Sequence, residues 1–177
     1  NHLTTRWLKD NGATQSTLSL EATYEQIVAV SKNASLPLEM IVHGPMEAMV
    51  MDHCLPSAVL ELGTHVHYEA PLHSRQYALL DTAGQKHPIA IDQYGRNHIL
   101  FAKDLCLLPH LEALSFLGRF RIEGQHYTPE LVGLLTQAYC RQLGKASAPV
   151  DTDLWKKITT ASPRELGIGA FRYRNSR

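Results

Sequence analysis

Hydrophobic positions along this chain follow two periods, and the switch between them outlines its elements. Leu3, Trp7 and Leu8 form the apolar side of a helix over residues 3–11, which Gly12 stops. Polar and apolar residues then alternate over 14–20, which predicts a strand ending at Ser19-Leu20-Glu21. Thr23 and Gln26 have the spacing of a capping box, and Tyr24, Ile27, Val28 and Ser31 keep helical spacing to Lys32. The run 38–42 is mostly apolar, as a strand buried on both faces of a parallel sheet would be. His43-Gly44-Pro45 ends it, because Pro cannot donate to a ladder. Strand, helix and strand within about thirty residues is a βαβ unit with a right-handed crossover.

After Cys54 the periodicity fails. Residues 55–74 mix Pro56, Gly63 and Pro71 with His65, His67 and His73, and read as an irregular excursion. Residues 76–81 and 88–92 predict a hairpin with Gly84 in its turn, and 98–102 is a third short apolar segment. Asp104 reads as the N-cap of a helical stretch carrying Cys106. Pro109 then opens a further helix with Leu111, Leu114 and Leu117 turned inward. Residues 119–123 form a strand. Thr128-Pro129 begins a long amphipathic helix with Leu131, Leu134, Leu135, Ala138 and Tyr139 on one face, closing at Gly144. Residues 145–149 make a small-residue linker, 154–158 a short helix and 167–174 an extended arm. Arg172, Arg174 and Arg177 make that end basic, which is ordinary for a solvated tail.

Composition narrows the class. The 177 residues suffice for one domain with a real core, and 44% hydrophobic with 19% charged is the balance of a soluble globular protein. Lysine plus arginine equals aspartate plus glutamate at 17 each, so no net field draws in nucleic acid or anionic lipid. The three cysteines, Cys54, Cys106 and Cys140, are far apart and odd in number, which argues against a disulfide framework and for a reducing cytoplasm. No apolar run approaches the ~18 residues that a membrane span requires. The chain opens at Asn1 inside a helical pattern, which suggests a fragment.

Chemistry crowds into residues 39–54, where Glu39, His43, Glu47, Asp52, His53 and Cys54 fall close together at the end of a strand. In one reading carboxylate, imidazole and thiol converge on a metal or a substrate. In the other, Met46, Met49, Val50 and Met51 pack against a core while the polar groups face water. No paired Cys-x-x-C spacing decides between them. The ten histidines tempt a metal reading too, although scattered loop histidines are ordinarily solvated. Neither Gly-x-Ser-x-Gly nor His-Glu-x-x-His occurs.

Four stretches together resemble the collagenase-like peptidases, class U, family thirty-two. They are Ser19-Leu20-Glu21, residues 39–54, residues 77–108 and residues 120–127. Within them Asp92-Gln93-Tyr94-Gly95-Arg96-Asn97-His98-Ile99, Ala102-Lys103-Asp104-Leu105-Cys106-Leu107 and Arg121-Ile122-Glu123-Gly124-Gln125-His126-Tyr127 look closest. The resemblance implies an α/β fold, the C-terminal portion of a (β/α) TIM-like barrel. Strands at 14–20, 38–42 and 119–123 would be late barrel strands, and 46–99 an irregular, partly β insertion. Residues 1–144 would then be the partial barrel, and 145–177 a linker, short helix and C-terminal arm. The missing N-terminal part of the barrel becomes an implied partner.

The resemblance also implies function. The family name implies peptide hydrolysis, with Glu21, His43, Glu123 and His126 at strand ends as the catalytic set. Glu39, Arg96, His98, Arg121 and Gln125 would bind substrate. A blander reading pairs Glu21 and Glu123 with arginines such as Arg121. Other members hydroxylate RNA bases or a quinone precursor without oxygen and carry a 4Fe-4S cluster on four cysteines. Here Cys54 matches a family cysteine, while Glu47 and Gly95 stand where relatives carry cysteine and 67–70 lacks it. Cys54 with His53, Glu47 or His67 is the candidate set for a different metal ion. Three functions follow: a peptidase, an iron–sulfur hydroxylation factor, or a degenerate binding module. A peptide stands ahead of RNA as substrate, and no membrane is involved.

Overall fold

A computed structural model of the chain describes residues 1–53, 55–60, 76–144 and 149–171. Local signals set most of its helices. Asn1 caps α1 (His2–Asp10) by accepting from the Thr4 amide at 3.0 Å. Thr23 and Gln26 close the expected capping box on α2 (Tyr24–Ser31), with the Thr23 amide donating to Gln26 Oε1 at 2.9 Å. α4 (Pro129–Gly144) starts with Pro at its first position, and Asp151 caps α5 (Thr152–Ala161) at 3.0 Å. A short helix, α3 (Leu55–Leu60), begins the stretch expected to be irregular. His65, His67 and His73 lie outside the described residues, as do Cys54 and Arg172, Arg174 and Arg177.

The chain divides into two compact units, one of residues 1–44 with 104–177 and one of residues 45–103. In the first, β2 (Leu38–Gly44) is the centre of a five-stranded mixed sheet. It pairs in parallel with β1 (Ser16–Thr17) on one edge and with β8 (Arg119–Ile122) on the other. Beyond β1 the same edge takes β7 (Asp104–Cys106), antiparallel, and β7 in turn pairs in parallel with β9 (Leu166–Gly167). The core is Ile27, Met40, Val42, Leu107, Leu108, Leu111, Leu114, Leu135 and Ile158, all at most 2 % exposed. Phe171 seals it, edge-on to Tyr24 at 5.6 Å. The described strands form an open sheet, and the architecture is mixed α/β.

Several expectations are corrected. Asp104 is not a helix cap: it is fully buried in β7, and Cys106 lies on that strand rather than on a helix. Tertiary pairing with His43 and Gly44 overrides the capping signal there. The helix expected from Pro109 is two 3₁₀ turns, Leu108–His110 and Glu112–Leu114, although Leu111, Leu114 and Leu117 are buried as anticipated. Leu3 and Trp7 are each 64 % exposed, so α1 turns its apolar ridge outward among the described residues.

The second unit is an antiparallel sheet ordered β3 (Glu47–Met51), β6 (Asn97–Leu100), β5 (Lys86–Ile91), β4 (Tyr77–Leu80). Met46, Ile99 and Leu100 are buried in it, whereas Met49 and Val50, on an edge strand, are about half exposed. Two of its turns repeat one motif, Asp-x-x-Gly-x-x-His, at Asp81 and again at Asp92. In each the aspartate Oδ1 accepts two backbone amides, from Ala83 and Gln85 or from Tyr94 and Arg96, at 2.8–3.0 Å. Gly84 and Gly95 both take φ +79°, which side chains resist. The histidine six residues on returns to the same carboxylate, His87 at 3.2 Å and His98 at 3.4 Å. Among the described residues no helix is long and apolar enough to cross a membrane.

Candidate functional site

One side of the β2–β8 pair carries a ladder of charge. Arg121 on β8 lies opposite Ile41, two residues beyond Glu39, so its side chain shares a face with Glu39. Its Nε donates to Glu123 Oε1 at 2.8 Å, and its Nη1 stands 3.6 Å from Glu39 Oε1. Thr17 on β1 donates to the same Glu39 oxygen at 3.0 Å. Arg119 extends the row by donating to Gln15. The Arg121 side chain remains 45 % exposed while the two carboxylates are largely covered, so the guanidinium is the reachable member. Gly44 fixes the end of the ladder: at φ +134° it lets Glu123 approach so closely that a Cβ would meet the Glu123 carbonyl at 2.5 Å.

His43 does not join that row. Between Ile41 and His43 the register shifts by one, so Ile41 faces Arg121 and His43 faces Ile122. The extra residue is a β-bulge, and because side chains alternate it moves His43 to the face that carries Met40 and Phe120. There His43 is fully buried, edge-on to Tyr139 of α4 at 5.8 Å and to Tyr127 at 5.9 Å. Tyr139 gives its single proton to the Val42 carbonyl at 2.8 Å, so its oxygen accepts from His43 Nδ1–H at 3.3 Å. His43 Nε2 is then a bare lone pair, buried and with no partner among the described residues. Burial lowers the pKa of this imidazole to about 4, against a smaller opposing pull from Asp104.

Asp104 sits beside this ring with zero exposure, held by Arg164 Nε at 2.6 Å and Tyr127 Oη at 2.7 Å. Burial and then the Asp104 bond push the Tyr127 phenol far above its ordinary range; burial likewise raises Tyr139 and the Cys106 thiol. Asp104, Tyr127, Tyr139 and Arg164 were not among the candidate residues. Tyr139 is on the apolar face of its helix; the local pattern at Asp104 reads as a helix cap, and nothing local signals its pairing with Arg164, which spans sixty residues.

The remaining candidates separate. Glu21, Gln125 and His126 are exposed and join neither cluster. Arg96 and His98 belong to the second unit. Arg96 grips Asp92 at 2.6 and 2.7 Å and lies over the Tyr94 ring, and His98 bonds Glu47 at 2.6 Å. The Glu47 bond raises the His98 pKa despite some desolvation, with Asp92 adding to it. Of the metal set, Glu47 is engaged with His98, and His53 offers its backbone carbonyl to Asn97. Cys54 and His67 lie outside the described residues. Among the described residues no three His, Cys, Asp or Glu side chains are placed to hold a metal ion. A four-thiolate cluster does not fit this chain's own residues. It has three cysteines, and burial favours the protonated, non-ligating form of one of them, Cys106.

Comparison with known proteins places this architecture in a class. Residues 1–176 match Peptidase family U32, and the chain belongs to that family. In particular, it is similar to the tRNA hydroxylation protein P2 of Bacillus subtilis (strain 168), 27% identical over 149 residues. That alignment covers 78% of this chain and 46% of the relative, so the chain spans about half the length of the curated protein it matches. No solved structure matches.

Proposed function

We propose that this chain is the late part of a (β/α) barrel in an RNA-hydroxylating protein, and that the ladder Glu39–Arg121–Glu123 lines its lumen and receives the polar substrate. The observation that carries the reading is the 149-residue similarity to a tRNA hydroxylation protein. Strand geometry supports the barrel: β1, β2 and β8 run parallel, α2 connects the first two and α4 follows the third. The ladder lies on the face away from the His43–Tyr139 contact with α4, where a barrel keeps its interior. Residues 45–103 are then an insertion after β2, and the other barrel strands are the partner that completes the site. A tRNA substrate implies the cytoplasm. Exposed Arg121 offers planar N–H donors to base carbonyls or phosphate, and Glu39 and Glu123 orient it.

Peptide hydrolysis, which the family's name favours, is the second reading. It needs a base that can reach water, and His43 is sealed and uncharged while Glu123 is held by Arg121. Mass spectrometry of tRNA nucleosides separates the two. Cells lacking the gene are expected to accumulate a nucleoside one oxygen short, and Arg121→Ala is expected to cut its hydroxylation at least tenfold in complementation. Unchanged nucleosides, with peptides cleaved by the purified protein, overturn the proposal in favour of hydrolysis. Unchanged nucleosides and intact peptides would leave a non-catalytic binding module.

A further inference from the structure

We propose that His43 is an acid-sensitive bolt: its Nδ1–H bond to Tyr139 fastens α4 to the end of β2, and protonation at Nε2 releases the helix. The device acts whatever reaction the protein catalyses. His43 is fully enclosed, and its Nε2 faces no donor or acceptor among the described residues. A proton there would create a buried N–H with no acceptor and a buried charge with no partner, both of which disfavour the closed state. Among the described residues the Asp104 carboxylate favours the charged ring, but its pull is smaller than the cost of burial. From α4 comes Tyr139, and from the turn before it Tyr127, both neutral phenols. From β7 come Cys106, a protonated thiol, and Asp104, whose carboxylate is already occupied by Arg164 and Tyr127. Arg164, the remaining charge, is turned to Asp104 and would repel a second cation. Arg121 and Glu39, on the opposite face of the strand, do not meet the ring.

Release would reach the charged ladder. The Glu123 amide donates to the His43 carbonyl at 2.8 Å, and the Val42 carbonyl that takes the Tyr139 proton also accepts the Leu107 amide. Freeing the end of β2 therefore loosens the backbone that carries Glu123, and with it the carboxylate that orients Arg121.

Hydrogen exchange of the α4 amides, corrected for intrinsic rates, tests the bolt in the full chain. Opening is expected to increase tenfold per pH unit as pH falls from about 6.5 to about 4, roughly 300-fold in all, and to level off below. His43→Asn puts a non-titrating amide where Nδ1 donates and is expected to abolish this increase. If that variant fails to fold, the wild-type imidazole resonance serves instead and is expected to titrate near 4. An imidazole titrating near 6.5 in the folded protein would overturn the proposal, as would an undiminished pH slope in His43→Asn.

Discussion

Single residues decide how close the strands come. Gly44 is the clearest, because both its φ of +134° and the 2.5 Å approach of the Glu123 carbonyl exclude a side chain. Gly44→Ala is expected to cost about 2–4 kcal/mol, combining backbone strain with a clash against main chain. Urea unfolding checks this, and a loss under 1 kcal/mol would mean that the strands can part cheaply there. Gly124 offers a contrast, since its nearest obstacle at 2.9 Å is a Val132 methyl, a side-chain atom. At this scale the pairing of Glu123 with Arg121 is readable from the sequence, as the blander reading has it, whereas Glu21 stays apart and the other partners leave no local sign. Glu123 is a carboxylate at a strand end, Glu39 and Arg121 belong to stretches that carry the family resemblance, and the structure brings those three together. Asp104 reads from sequence as a helix cap rather than as the partner of Arg164, because an ion pair between residues sixty apart leaves no local pattern.

Elements with strong local signals came through well. The capping box of α2, the hairpin around Gly84 and the face of α4 each rest on contacts within a few residues, or on one apolar stripe. β7 did not, because three residues gain their strand state only from β2 and β9. Of the paired Asp-x-x-Gly-x-x-His turns, the first reads from sequence as a hairpin and the second as part of a family motif, while their shared hydrogen-bond pattern emerges only in the structure. They carry a pH prediction. Despite some desolvation, hydrogen bonds from Arg96, Tyr94 and His98 hold the Asp92 carboxyl well below its ordinary range, and the Gln85 amide and His87 lower that of Asp81. A depressed carboxyl stabilises above its unfolded value of about 3.8 and loses that contribution as pH falls. Opening at the Ala83, Gln85, Tyr94 and Arg96 amides, measured by exchange corrected for intrinsic rates, should therefore increase as pH falls below about 3.8. Asp92→Ala should reproduce this at neutral pH for Tyr94 and Arg96 while leaving Ala83 and Gln85 slow; equal effects on both turns would contradict local control.

For the whole molecule, the order and spacing of the motifs carry the resemblance to the family, and the match over residues 1–176 agrees. Its interior arrangement needed coordinates, because a neutral chain of 177 residues says nothing about which face of a strand is charged. The cysteine count also makes a claim at this scale. Three cysteines cannot supply the four thiolates of a family-type cluster. These 177 residues alone, purified without oxygen, are therefore expected to contain well under one four-iron cluster per chain, by iron and sulfide analysis. A stoichiometric cluster would require a ligand other than cysteine or one from outside these residues.

The bulge in β2 has a consequence for reading relatives. On an evenly paired strand the imidazole would stand beside Glu123, among the carboxylates, and would look like a base awaiting substrate. Here the strand spends one additional step before the glycine, and the same ring becomes an interior fastening. A shared His-Gly pair thus transfers a letter without a side, and the tally of residues against the neighbouring strand determines which way the histidine looks.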